Sequence, residues 1–228
     1  MTSDYSRLLT RLSIKFNDIL LLDTAFTHRS YLNEVKHVSE SNERLEFLGD
    51  SVLSYIISSY LYNSRPKDPE GDLTNLRSYI VKTKSLSEAS EKLHLGKYLK
   101  LSKGEEISGG RANTQLLANT FEALLGAIYL DLGLETATKV VYQTLLPDFR
   151  KELALGPPKD SKSQLQELAQ ERLKESPHYK IIVTKGPDHA KQFMVGVYIK
   201  GKETGRGIGS SKQTAEEMAA SIALKKFT

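Results

Sequence analysis

Apolar residues recur at three- and four-residue spacing from about residue 5 to residue 150, the period of helices that bury one face. The polar stretches "NSRPKDPEGD" and "SKGEEISGG" interrupt this run, and "LALGPPKD" ends it. One further helical segment follows, from about Ser161 to Lys174. The period then changes to two: Tyr179, Ile181 and Val183 alternate with their neighbours, as do Phe193, Val195, Val197 and Ile199. A third short strand is expected over roughly 203–208. The last segment, "SSKQTAEEMAASIALKKF", returns to a helical period with Ala215, Met218, Ala219, Ile222 and Ala223 on its inner face. The pattern predicts an all-α unit over residues 1–153, a Gly-Pro-Pro linker over 154–160, and an α-β-β-β-α unit over 161–228.

Charge divides the chain at the same place. From Pro157 onward there are 13 Lys and Arg against 8 Asp and Glu, which leaves 19 basic and 20 acidic residues before it. A basic module thus follows a near-neutral one, and a net charge of +4 suggests an anionic partner. A chain that is 39% hydrophobic and 26% charged has the composition of a soluble protein with a true core. Cysteine is absent, which excludes disulfides, thiolate zinc sites and a cysteine nucleophile, and suits a reducing cytoplasm. The opening "MTSDYSRLLTRLSIKFND" is charged throughout and holds no signal-peptide core. The longest apolar tract, "LLANTFEALLGAIYLDLG", contains Glu122 and is too short to span a bilayer cleanly, so no membrane association is expected.

The stretch "NERLEFLGDS", residues 42–51, stacks Glu43, Glu46 and Asp50 within roughly 60° of one helical face. Such a trio can be a solvated outer face. Glu122 bears on that choice, because it stands in "QLLANTFEALLGAIYL" with Asn119 three residues before it and no Lys or Arg within helical reach. A carboxylate in such a helix must be paired, protonated or metal-bound. A divalent cation shared with the first acidic helix would satisfy both, and oxygen-only ligands favour hard ions such as Mg²⁺ or Mn²⁺. Ions of this kind recur at phosphoryl-transfer sites.

"NERLEFLGDSVL" resembles the signature of the ribonuclease III family. "AFTHRSY", "DPEGDLTNLRSYIV" and "FEALLGAIYLD" resemble further blocks of that family in the same order. "KDSKSQLQELAQ" and "GRGIGSSKQTAEEMAA" resemble a double-stranded-RNA-binding domain. The resemblance implies a helical nuclease and dimerisation domain followed by that RNA-binding domain. The activity implied is metal-dependent hydrolysis of double-stranded RNA by a homodimer. Its products would carry 5′-phosphate and 3′-hydroxyl ends, and ribosomal-RNA and other precursors would be its substrates.

By position, the resemblance gives Glu46, Asp50, Asn119 and Glu122 as Mg²⁺ ligands, with Mn²⁺ as a substitute and Asp50 and Glu122 indispensable. Glu43 and Glu70 match further acidic positions near the cleft and the dimer interface. Asn119 departs from the family, which usually has aspartate there; one fewer negative charge implies weaker metal binding and slower turnover. That departure raises the alternative of a catalytically impaired double-stranded-RNA-binding protein. His28 and Arg29 are expected as structural partners, a hydrogen-bonded helix-end histidine and an ion-pair arginine.

In the tail, the resemblance places Gln166 and Glu167 in the minor groove, His189 in a neighbouring one, and Ser211 and Lys212 on phosphate across the major groove. Lys212 has independent support, since a lysine at a helix N-terminus opposes the macrodipole and suits a site awaiting an anion. Gln213 stands where a second basic residue is common, which should weaken the phosphate grip.

Overall fold

The computed structural model describes residues 4–35, 38–156, 160–187 and 191–227. The chain divides into two compact units, Met1–Pro157 and Pro158–Thr228. The division falls within the stretch expected as a linker.

The first unit is helical throughout: α1 Ser6–Leu12, α2 Ile19–Ala25, α3 Glu43–Ser64, α4 Glu70–Ile80, α5 Thr83–Leu93, α6 Lys103–Ile107, α7 Thr114–Thr144 and α8 Arg150–Leu155. The polar breaks are shorter than the pattern suggested. Glu70 already opens α4, α6 forms within "SKGEEISGG", and α8 carries Ala154 and Leu155 of the expected linker. Side chains that precede the helices fix where they start. Asp18 accepts from the Leu20 and Leu21 amides at the head of α2, and Asn113 accepts from those of Gln115 and Leu116 at the head of α7. Gly133 interrupts α7 at φ 81°, ψ 173°, a conformation open essentially to glycine alone.

Helices α3 and α7 share the most extensive helix–helix contact of this unit. Leu53, Ile56, Ile57 and Leu61 from α3 meet a core that includes Phe121, Leu124, Leu125 and Ile128 from α7. Each such fully buried side chain stabilises the fold by roughly 1.5–3 kcal/mol. By length and composition α7 is also apolar enough to cross a membrane; here its apolar face is largely buried in this core.

The crossing is unusually close. A Cβ on Gly49 would stand 1.8 Å from the Glu122 carbonyl oxygen, and one on Gly126 would stand 2.3 Å from that of Leu45. Backbone therefore meets backbone, and only glycine fits on either side.

The second unit begins with α9, Ser161–Leu173, continues through β1 His178–Lys185, β2 Gln192–Ile199 and β3 Lys202–Gly209, and ends with α10, Lys212–Leu224. The strands form one antiparallel sheet in the order β1-β2-β3. Val195, Val197 and Ile199 of β2 are buried, as their alternation requires. Glu217 of α10 accepts from the Ser161 and Lys162 amides, and Lys162 Nζ stands 2.6 Å from Glu216, so the last helix caps the first.

Two expectations about this unit are corrected. Tyr179 and Val183 are half-buried, but Ile181 is 45% exposed, because the register shifts between Ile181 and Val183 and the alternation slips. On α10 the inner residues are Ala215, Ala219, Ala220 and Ala223, while Met218 is 50% exposed and Ile222 is 38% exposed. The reason lies on β3: a Cβ on Gly205 or Gly207 would come within 2.3 Å of α10 backbone oxygens. At that separation the facing helix can present only alanine.

Gly49→Ala is expected to lower stability by at least ~1–3 kcal/mol through overpacking of backbone against backbone. Chemical denaturation of the two proteins side by side checks this, and an unchanged midpoint would contradict the close crossing.

Candidate active site and RNA-binding face

The crossing sets the site. Glu46 and Asp50 flank Gly49 on α3, and Glu122 is the residue whose backbone Gly49 nearly touches on α7. The structure thus brings the two acidic helices together where the sequence expected them to meet. Glu122 is half-buried and, among the described residues, makes neither hydrogen bond nor ion pair; the same holds for the exposed Asp50. Burial, then Asp50, then Glu46 push the Glu122 carboxyl up to about 7. Burial and the neighbouring Glu43 and Asp50 also raise Glu46, against a hydrogen bond from Asn119 that lowers it.

Whether a divalent ion suits these residues can be judged from the donors themselves. They are oxygens only, and two of them are carboxylates without partners, one of them half-buried. That set fits a hard cation. The carboxylates do not form a closed cage, since among the described residues no three His, Cys, Asp or Glu side chains stand together as a ready metal-binding group.

Asn119, expected as an oxygen ligand, is hydrogen-bonded on both sides in the ion-free site. Its Oδ1 accepts from Gln115 Nε2 at 2.7 Å, and its amide serves the Glu46 carboxylate. Gln115 was not foreseen, although its place four residues before Asn119 on α7 is the spacing at which helical side chains meet.

Glu43 borders the group, close enough to raise Glu46, and Glu70 stands apart from it. Glu43 lies at the start of α3, where Ser41 Oγ donates to it at 2.9 Å and Arg29 stands 3.4 Å away. Glu70 accepts from Thr74 Oγ1 and lines a separate shallow pocket with Tyr55, Tyr62 and Arg77. His28 has the structural place expected of it: its Nδ1 accepts from the Ser30 amide at the head of the short turn Arg29–Asn33. Burial lowers its pKa, partly offset by Glu105.

In the second unit Gln166 and Glu167 sit on the exposed face of α9, with Gln166 in a groove shared with Lys162, Gln213 and Met218. Ser211 is the N-cap of α10 in a capping box: its Oγ accepts from the Thr214 amide at 3.1 Å, and Thr214 Oγ1 accepts from the Ser211 amide at 3.0 Å. Its oxygen thus accepts within the cap, while a hydroxyl keeps an O–H to donate. Lys212, next in the chain, is exposed at the positive end of that helix. His189 lies outside the described residues.

These features define a helical unit with an acidic cleft joined to a double-stranded-RNA-binding fold, and comparison with known proteins gives both parts a family. Residues 18–149 match the ribonuclease-III-like family, and residues 161–227 match the double-stranded RNA binding motif. Ribonuclease 3 of Borreliella afzelii is 47% identical over 220 residues, 96% of this chain and 90% of that protein. Ribonuclease 3 of Streptococcus gordonii is 46% identical over 225 residues, covering 96% and 94%. Among solved structures, a nuclease domain of ribonuclease III from Campylobacter jejuni superposes with a TM-score of 0.60 at 37% identity, over 64% of this chain and 99% of that one. The chain belongs to the ribonuclease III family and is an endoribonuclease of that type.

The raised Glu122 carboxyl makes stability depend on pH. Because its folded pKa, about 7, exceeds the ordinary 4.5, the folded chain holds this proton where the unfolded chain releases it. Stability is then fully present at low pH and declines as pH rises from about 4.5 through about 7. With chelator present, thermal unfolding should show a decline on the order of 1 kcal/mol across this window, reduced by solvent screening at a half-exposed group. Glu122→Gln should remove it; a variant with the same pH profile would refute the assignment.

Proposed function

We propose that the chain cleaves double-stranded RNA with a divalent ion held by Glu46, Asp50 and Glu122. The observation that carries this reading is the pair of partnerless carboxylates, Asp50 and Glu122, at the glycine crossing of α3 and α7. Mg²⁺, with Mn²⁺ as a substitute, supplies when bound a polarised water and charge stabilisation at the phosphate. The protein's part is to fix the acids on rigid helices, to orient Glu46 through Asn119, and to leave the Glu122 and Asp50 carboxylates without a competing partner among the described residues. Attack of water on phosphorus with cleavage of the P–O3′ bond, the leaving oxygen taking up a proton, would give 5′-phosphate and 3′-hydroxyl ends.

The outer face of α3 supports pairing of two copies. Phe47, Tyr55 and Tyr62 recur there at helical spacing, with Phe47 78% and Tyr62 74% exposed, and so large an apolar stripe favours a partner surface. One structure of the Campylobacter jejuni nuclease domain describes flexibility in a region involved in dimer formation. A homodimer would let each copy cut one strand. The cysteine-free chain suits the cytoplasm, where structured ribosomal and messenger precursors are the substrates this reading assigns.

Incubation of a long RNA duplex with the protein and Mg²⁺ tests the proposal. Cleavage should stop with chelator and fall ~100–1,000-fold in Glu122→Gln, the scale of removing a group that stabilises charge in the transition state. Duplex that is shifted but uncut by the unaltered protein would instead favour the RNA-binding alternative raised by Asn119. Asn119→Asp restores a negative charge and should lower the Mg²⁺ concentration for half-maximal rate several-fold.

For the second unit, Lys212→Ala is expected to weaken duplex binding about equally for all sequences. It should also reduce the slope of log affinity against log salt by about one. Binding titrations at several salt concentrations check this, and an unchanged slope would remove Lys212 from the phosphate contact.

A further inference from the structure

A pocket of about 330 Å³ opens beside the acidic cluster, lined by His28, Arg29, Asn42, Glu43, Glu46 and Asn119 among others. Asn42 is its least expected member. The residue is only 4% exposed, and its backbone is fixed at both ends: its amide donates to the Thr27 carbonyl at 2.8 Å, and its carbonyl accepts from the Glu46 amide at 2.8 Å. It stands at the N-cap of α3, where an asparagine side chain ordinarily accepts from the first helical amides. Here the carboxamide makes no such bond and has no hydrogen-bond partner among the described residues. A buried amide without a partner is costly, so this one points to a ligand. Among the described residues, the Tyr179 hydroxyl is the only side-chain polar atom both sealed from solvent and unpaired. The Asn42 carboxamide therefore borders open space, and that space is the pocket.

The lining selects the chemistry of the ligand. Glu43 and Glu46 oppose a phosphate. A compact cation would find a carboxamide and an arginine in its way. A hydroxyl fits both signs, because it accepts from the Asn42 amide and donates to the Asn42 oxygen or to a carboxylate. His28 adds to this: with Nδ1 accepting from the Ser30 amide, its neutral ring carries the proton on Nε2 and offers a second donor. The volume is at the lower end of small-ligand pockets, ~300–1,000 Å³, which suits a single sugar rather than a base pair. The 2′-hydroxyl is the neutral donor and acceptor that RNA has and DNA lacks.

We infer that this pocket is a subsite for a ribose 2′-hydroxyl next to the scissile bond, and that Asn42 is the residue that reads it. The inference rests on the nuclease reading above. It assigns the helical unit a share in choosing RNA over DNA that does not depend on the RNA-binding fold.

Duplexes carrying a single 2′-deoxynucleotide, moved one position at a time across the cleavage site, test the subsite in the full-length protein with Mg²⁺. One position should lower kcat/KM roughly tenfold, the effect of leaving a buried polar group unpaired. Asn42→Ala should lose about the same factor on all-RNA duplex and show no further loss at that position. A role in folding alone would lower both substrates equally and leave the deoxy penalty intact. Asn42→Ser can still cap α3 but is too short to fill the pocket; it serves if the alanine variant is unstable, and should behave the same way. If the unaltered protein cuts duplex RNA yet no deoxy position matters, or if the penalties multiply in the variants, the subsite is refuted while the nuclease reading stands. If the unaltered protein does not cut at all, both fall.

Discussion

The glycine pair at Gly49 and Gly126 is the constraint from which the rest follows. Two helices that carry acids on facing sides would normally keep apart, since like charges near each other and half out of water repel. The apolar residues on either side of the crossing, Leu53, Ile56, Phe121 and Leu124 among them, outweigh that repulsion by burial. The glycines let them do so at backbone contact. The energy of the core thus holds in place a charge arrangement that would not assemble alone. The raised Glu122 carboxyl records what this costs, through burial first and through Asp50 and Glu46 second.

The same device recurs in the second unit with a different outcome. Gly205 and Gly207 on β3 let α10 approach so closely that alanines fill its inner face. Close packing there rigidifies the platform from which Ser211 starts the helix and Lys212 projects into solvent. In both units a glycine stripe on one element meets a helix on another, and the exposed polar groups beside the contact inherit its rigidity. A site built on such elements keeps its geometry better than one built on loops.

Much of this was legible in the sequence because period and composition report burial. The helical unit, the three strands and the last helix follow from apolar spacing. Glu122 was conspicuous as a carboxylate within an apolar helix. What escaped depends on partners far away in the chain. Met218 and Ile222 have the right spacing for an inner face, but β3, not α10, decides how much room there is. Ile181 continues an alternation that a bulge against β2 breaks. Ser211 was expected on phosphate, and nothing in the sequence signalled that its hydroxyl also accepts from the Thr214 amide as the cap of α10. Asn42 carries no signal in the sequence; only the structure buries its carboxamide without a partner among the described residues.

Asn119 draws these strands together. On the proposed reading, an aspartate at this position would add another carboxylate to a crossing where Glu122 is already pushed to about 7 by burial and its two acidic neighbours. The amide instead donates to Glu46 and lowers it, while Gln115 holds its oxygen. In the ion-free protein this substitution relieves repulsion and stabilises the crossing. With an ion present, the same neutrality withholds a charge that would help bind it. A single side chain therefore sets the balance between a site that is comfortable empty and one that grips its ion firmly. The direction of that trade follows from Coulomb's law at short range in a partly dry cleft, whatever the rate of the chemistry it serves.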